Sequence, residues 1–181
     1  FGLYHHNKDI KICDLGNIYP GAAVEDTYHA VSDVVQNLIK KNVFVVILGG
    51  SQDITFANYK AYEKLEQTVN LVSIDSKFDL GNNEDGISSS NFLSKIILHK
   101  PNYLFNYGHL GYQTYFVSPG ETKLMNDLYF DSSRLGEIQE DLQNAEPLIR
   151  NADILSVDVS SLRNSELSSN GNSGPNGFYG D

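Results

Sequence analysis

A single cysteine, Cys13, stands in a chain of 181 residues, so no internal disulfide and no cysteine-rich metal site can form. That usage fits a reducing compartment, and the expected location is the cytoplasm. Long apolar runs are missing too. None approaches the about 20 residues that a membrane span needs, and no basic-then-apolar leader opens the chain. Basic residues are scarce, 13 against 23 acidic ones, and the formal charge of −10 repels phosphate backbones and anionic lipid. Lys40-Lys41 is an isolated pair at a helix end, so neither nucleic acid nor a membrane is an expected partner. The first residue is Phe1 rather than methionine, and further sequence is expected upstream. The length suits one domain over 1–181, large enough for a core without disulfide or metal staples.

What is present alternates between short apolar runs and segments of helical spacing. Ile10 to Leu15 reads as a first strand, followed by turn signals at Gly16-Asn17 and Pro20-Gly21. From Val24 to Lys40 the apolar positions recur as on one helix face, with Glu25 and Asp26 near the start as the helix dipole favours. Asn42 to Leu48 is a second strand running into Gly49-Gly50, a close strand-to-helix turn before a helix over Ile54 to Gln67. The third strand, Asn70 to Ile74, ends in Asp75-Ser76-Lys77-Phe78-Asp79. Leu80 to Ser89 is a polar loop, Asn91 to Leu98 a short helix and Tyr103 to Tyr107 a strand leading into Gly108-His109. Leu124 to Phe130 is ambiguous. Ser133 to Asn144 reads as a helix capped by Ser133, Ala145 to Asn151 as a turn, Ala152 to Ser160 as a last strand and 165–181 as a Ser/Asn/Gly-rich loop. Strands alternating with helices predict a parallel sheet of about five or six strands covered on both faces.

Ligands of such sheets gather at the carboxyl ends of the strands. Asp75, Asp79 and Asp158 all fall at strand ends, as does Gly49-Gly50-Ser51-Gln52-Asp53. These stretches, with Ser156-Val157-Asp158-Val159-Ser160-Ser161-Leu162-Arg163, together resemble the ureohydrolase superfamily of arginase, agmatinase and formimidoylglutamase. Its signatures are GGDHS, DAHxD and SxDxDxxDP, in this order. The resemblance implies an α/β fold, a three-layer α/β/α sandwich with a mainly parallel sheet, truncated here at both ends. It also implies two manganese ions held by six side chains, which activate a water for attack on a guanidinium or formimino carbon.

Position by position, Asp75, Asp79 and Asp158 stand where the family has aspartates, while Gln52, Lys77 and Ser160 replace two histidines and an aspartate. In the family pattern Lys77 and Ser160 would be the ligands exclusive to one ion, so that site is expected to be empty. A protonated lysine has no lone pair to give a metal. Like charges about 4 Å apart cost about 4 kcal/mol at an effective dielectric near 20, so three clustered carboxylates need a counter-charge or a shared proton. The expectation is that Lys77 bridges at least two of them and that no metal cofactor is bound, with Mn2+ the ion if the site is partly functional.

Asp75, Asp79, Lys77 and His109 are the catalytic candidates, and Asn91, Tyr112 and Gln113 the candidate substrate contacts, since loops at this edge commonly carry specificity. His109 reads first as a hydrogen-bonded structural residue, and His5, His6, His29 and His99 lack partners at metal-ligand spacing. Asp53 is expected at the first helical turn, and Ser156, Ser160 and Ser161 form no nucleophile elbow. Two functional readings remain open. One is a noncatalytic homologue with a decayed dimanganese site, binding a small cationic or amide-containing molecule or a protein partner. The other is a hydrolase of linear amidines acting with one metal or a remodelled site. Homo-oligomers are suggested by the resemblance alone.

Overall fold

The computed structural model describes residues 11–82, 84, 86–167 and 172–180. Among the described residues four strands form one sheet: β1 (Val69–Ile74), β2 (Leu104–Tyr112), β3 (Asp131–Arg134) and β4 (Ile154–Val157), in the spatial order β3-β2-β1-β4 with every pair parallel. Among the described residues six α-helices accompany them: α1 (Val24–Ile39), α2 (Ile54–Glu63), α3 (Phe92–Leu98), α4 (Pro119–Asp127), α5 (Leu135–Glu140) and α6 (Glu146–Arg150).

Successive β1 side chains serve opposite faces of the sheet, as strand geometry requires. Leu71 packs with Tyr59 of α2, Phe92, Leu93 and Ile96 of α3 and Met125 of α4, whereas Val72 packs with Ile138 of α5 and Leu148 of α6. Helices therefore cover both faces, the three-layer arrangement expected. The α1 helix lies outside α2, joined through Tyr28, Val31 and Val35 against Ala57 and Ala61. Its start is fixed by Asp26, which accepts from the Ala23 N–H at 2.9 Å. The start of α4 carries a full capping box between Ser118 and Glu121, with Pro119 in the first turn.

Two expected strands are corrected. Lys11 to Leu15 and Asn42 to Leu48 join no ladder among the described residues, and Ile10 lies outside them. Composition favours a strand in both, but a strand needs a neighbour to take its N–H and C=O groups, and here β4 is the last in the order. Phe44, Val46 and Leu48 are correspondingly exposed, while Val45 packs against the α1–α2 layer. The glycine turn that follows is as expected, with Gly49 and Gly50 both at positive φ.

Three later elements also differ. The strand read over Tyr103 to Tyr107 runs on to Tyr112. Ser133 belongs to β3 rather than capping a helix, and 145–151 contains α6 instead of a turn. Residues 83, 85 and 168–171, on which the expected loops 80–89 and 165–181 partly fall, lie outside the described residues, as do His5 and His6. No helix among the described residues is long and apolar enough to cross a membrane.

Candidate functional site

The carboxyl end of β1 collects the acidic residues. Asp75 follows Ile74 directly, and its N–H bonds the Leu110 carbonyl of β2 at 3.2 Å. On the other side the Asp158 N–H bonds the Ile74 carbonyl at 3.0 Å, which fixes the third carboxylate at the same edge. Asp79 comes back to Asp75 because the backbone bends over 75–77 and Asp79 itself takes a left-handed conformation, φ +53°. Aspartate tolerates that region better than most residues.

A hydrogen bond joins the Asp75 and Asp79 carboxyls, so the pair holds a proton between them. Burial is the main reason. It lifts Asp75 above the usual carboxylate range and, with the adjoining Asp75 charge, pushes Asp79 up to about 10. Asp158 raises both further. Gln52 lies across the pair: with its nitrogen toward the carboxyls it donates to Asp75 Oδ2 at 3.0 Å and Asp79 Oδ2 at 3.1 Å, and its oxygen accepts from Ser156 Oγ at 3.3 Å. This orientation is assigned because the reverse would set the amide oxygen against two carboxyl groups. Thr55 Oγ1 and Ser156 Oγ, 2.6 Å apart, back the amide from behind.

Lys77 does not join them, which corrects the expected bridge. It is exposed, its Nζ lies 5.4 Å from the Phe116 ring centroid, and among the described residues it forms no ion pair with Asp75, Asp79 or Asp158. Strand alternation would put 75, 77 and 79 on one face, but β1 ends at Ile74 and the bend turns residue 77 outward. Lys77→Ala is therefore expected to change stability by less than about 0.5 kcal/mol in urea denaturation. A lysine bridging buried carboxylates would cost about 3 kcal/mol or more on removal.

The remaining expected site residues divide. Ser160 offers its N–H to Asp158 Oδ1 at 2.7 Å in a 3-10 turn, so Asp158 caps that turn. His109 is fully buried, between the Tyr107 hydroxyl at 2.9 Å from Nδ1 and the Asp75 carbonyl at 3.0 Å from Nε2. Burial lowers its pKa to about 4, so the ring is neutral and Nε2–H donates to Asp75. It supports the backbone of the site from below. Asn91 staples a loop: its amide nitrogen bonds the Asn82 and Gly86 carbonyls at 2.9 and 3.0 Å, and its oxygen takes the Ser88 N–H at 2.8 Å. Tyr112 and Gln113 both line a cavity at the end of β2. Asp53 accepts from the Tyr28 and Ser51 hydroxyls and takes no part in the cluster.

The sequence reading passed over two features. Ser156 and Thr55 serve as the support of Gln52, for which the sequence gives no signal. Arg163 stands at the last acidic position of SxDxDxxDP, a reversal of charge visible in the motif itself.

The donor set does not fit a dimanganese centre. Two divalent ions need bridging carboxylates plus terminal hard or imidazole donors, and here a serine and an outward lysine occupy two of the six positions while the imidazoles are gone. Among the described residues no three His, Cys, Asp or Glu side chains stand in metal-holding geometry.

Comparison with known proteins agrees with the fold. A family model described as the arginase family matches residues 1–180. The formimidoylglutamase of Macrococcus caseolyticus is 32% identical over 95 residues, 51% of this chain and 30% of that protein. That of Staphylococcus epidermidis is 30% identical over 102 residues, 55% and 32% of the two chains. Among solved structures, formiminoglutamase of Trypanosoma cruzi with Mn2+ superposes with a TM-score of 0.78 at 16% identity, over 88% of this chain and 57% of that one. Formimidoylglutamase of Bacillus subtilis gives 0.72 at 19% identity, over 87% and 52%. The chain thus spans about half the length of these structures, and its matches cover about a third of the curated relatives.

Proposed function

The chain belongs to the arginase family, and on that premise we propose that it is a member without dimetal hydrolysis, whose acidic cluster holds a small cationic or amide-bearing molecule. The observation that carries this reading is Gln52, whose amide spans Asp75 and Asp79 at 3.0 and 3.1 Å. A neutral donor here satisfies the carboxyl oxygens that a dinuclear centre would need as ligands. The proton shared by Asp75 and Asp79 takes up part of the charge that cations would neutralise. Asp158 keeps a net negative charge at the edge, which favours a guanidinium, amidinium or ammonium over an anion.

The test has two arms. With manganese added, release of urea or formamide from arginine, agmatine and formimidoylglutamate is expected to stay at the level of a protein-free blank, and Lys77→His alone is expected not to restore it. Calorimetric titration with agmatine is expected to show binding that Asp158→Asn weakens about tenfold, the loss of one charged hydrogen-bond partner. Manganese-dependent turnover by the parent chain would overturn the reading in favour of an amidine hydrolase with a remodelled site. Absence of agmatine binding would remove the ligand-holding role. Self-association is measured on the same sample by sedimentation.

A further inference from the structure

We propose that the cavity at the carboxyl end of β2 binds the carboxylate of a small organic acid, with Arg163 as its anchor. The cavity has a volume of about 490 Å³ and lies between the end of β2, the α5 helix and the returning segment 172–180. Its polar lining includes Gln113, Arg134, Glu137, Glu140, Arg163 and Asn176, and none of the three clustered aspartates belongs to it. The volume falls in the range of small-molecule sites.

The walls are built before any ligand arrives. Gln113 is buried, donates to the Asn176 carbonyl at 3.2 Å and accepts from the Tyr115 hydroxyl. Gln139 donates to the Gly177 carbonyl at 3.0 Å, and a backbone bond from Phe178 to Ser161 at 2.9 Å ties the segment down. These amides are therefore committed to holding the cavity open. The two guanidinium groups differ. Arg134 gives Nε and Nη2 to the Glu137 carboxylate at 3.1 and 3.0 Å, so its fork is already filled.

Arg163 is not filled. Its face stacks on the Tyr179 ring at 3.4 Å, and one nitrogen, Nη2, reaches the Gly177 carbonyl at 3.3 Å. Its Nε is buried and has no hydrogen-bond partner among the described residues. Stacking uses the face of a guanidinium and leaves its N–H edge for a planar acceptor, and a carboxylate fits that edge with two bonds. A buried donor on a cation without a partner is costly, and because Nε is closed off from solvent an incoming oxygen reaches it only with a shift of the Arg163 side chain on binding. The chain carries −10 overall, so only a local cation can draw an anion here. Glu137 and Glu140 at the wall oppose any anion, so what selects a carboxylate over a tetrahedral phosphate is its planar fit to the Arg163 edge.

The probe is glutarate, titrated into the 181-residue protein while the arginine Nε–H signals are followed by nitrogen-15 NMR. The Arg163 Nε–H signal is expected to move, with no response to the neutral isostere glutaramide and at least tenfold weaker binding of inorganic phosphate. Arg163→Gln is expected to weaken glutarate at least tenfold, and Arg163→Lys, which keeps the charge and loses the fork, by an intermediate factor. Should the glutamine variant fail to fold, the parent signal and the lysine variant decide. The proposal is overturned if glutaramide or phosphate binds as well as glutarate, if the Arg163 signal stays still, or if a folded Arg163→Gln protein binds glutarate like the parent.

Discussion

Asp79→Asn is expected to stabilise the protein by about 4 kcal/mol at pH 7, a direction opposite to that of most buried substitutions. Asp79 must stay protonated beside Asp75, because burial and the neighbouring charge push it up to about 10 from an ordinary value of 3.8. Near pH 7 the unfolded chain ionises this group and the folded chain does not. Each unit between 3.8 and the working pH costs about 1.4 kcal/mol of folding free energy. Asparagine keeps the shape and the donor toward Asp75 while having nothing to ionise.

The sign sets the pH dependence. A group raised in the folded state contributes stability that is fully present below its unfolded value, near 3.8, and is lost as pH rises toward 10. The gap between Asp79→Asn and the parent should therefore widen by about 1.4 kcal/mol per unit across that window, measured by urea denaturation from pH 5 to pH 9. Chelator should leave the gap unchanged. If the parent instead bound manganese through Asp79, the same substitution would destabilise the metal-loaded protein, and chelator would erase the difference.

The acidic cluster was legible because it rests on chain direction. An apolar run over 70–74 in a parallel sheet delivers the next residue to the carboxyl edge, and Asp75 and Asp158 are both in that position, hydrogen-bonded through Leu110 and Ile74. Lys77 was misplaced because alternation holds only inside a strand, and the bend at 75–77 resets which way each side chain points. A turn of this kind is decided by Asp75, whose Oδ1 takes the Ser76 N–H, and by where Asp79 must return, neither of which is local to the lysine. Asn42 to Leu48 failed as a strand for another reason: pairing is a property of two segments, and composition describes one. In contrast, the polar run Asp131-Ser132-Ser133-Arg134 forms β3 because Gly108 to Tyr112 offers it a partner. Gln52 was recognised as a lost ligand, yet its new role depends on Ser156 and Thr55, which only the folded chain brings to it.

His109→Leu should destabilise the protein by about 3 to 5 kcal/mol, the largest loss expected of any single change around the site. The ring is fully buried, edge-on to Phe78 with centroids 4.9 Å apart, and both nitrogens are engaged. Leucine matches much of the volume but leaves the Tyr107 hydroxyl and the Asp75 carbonyl without their partner, and each buried orphan costs about 1 to 3 kcal/mol. The variant also carries a pH signature that a simple packing defect lacks. Histidine lowered to about 4 in the folded state contributes stability present above its ordinary 6.5 and lost as pH falls through 4, because unfolding then takes up a proton. The parent should lose up to about 3 kcal/mol through this group between pH 6.5 and 4, and the leucine variant should lack that part of the slope. Parallel curves for the two proteins over this window would mean that the folded ring is already charged. Asp75 would then be held by an imidazolium rather than by a neutral donor, and the shared proton of the acidic pair would have to be reassigned with it.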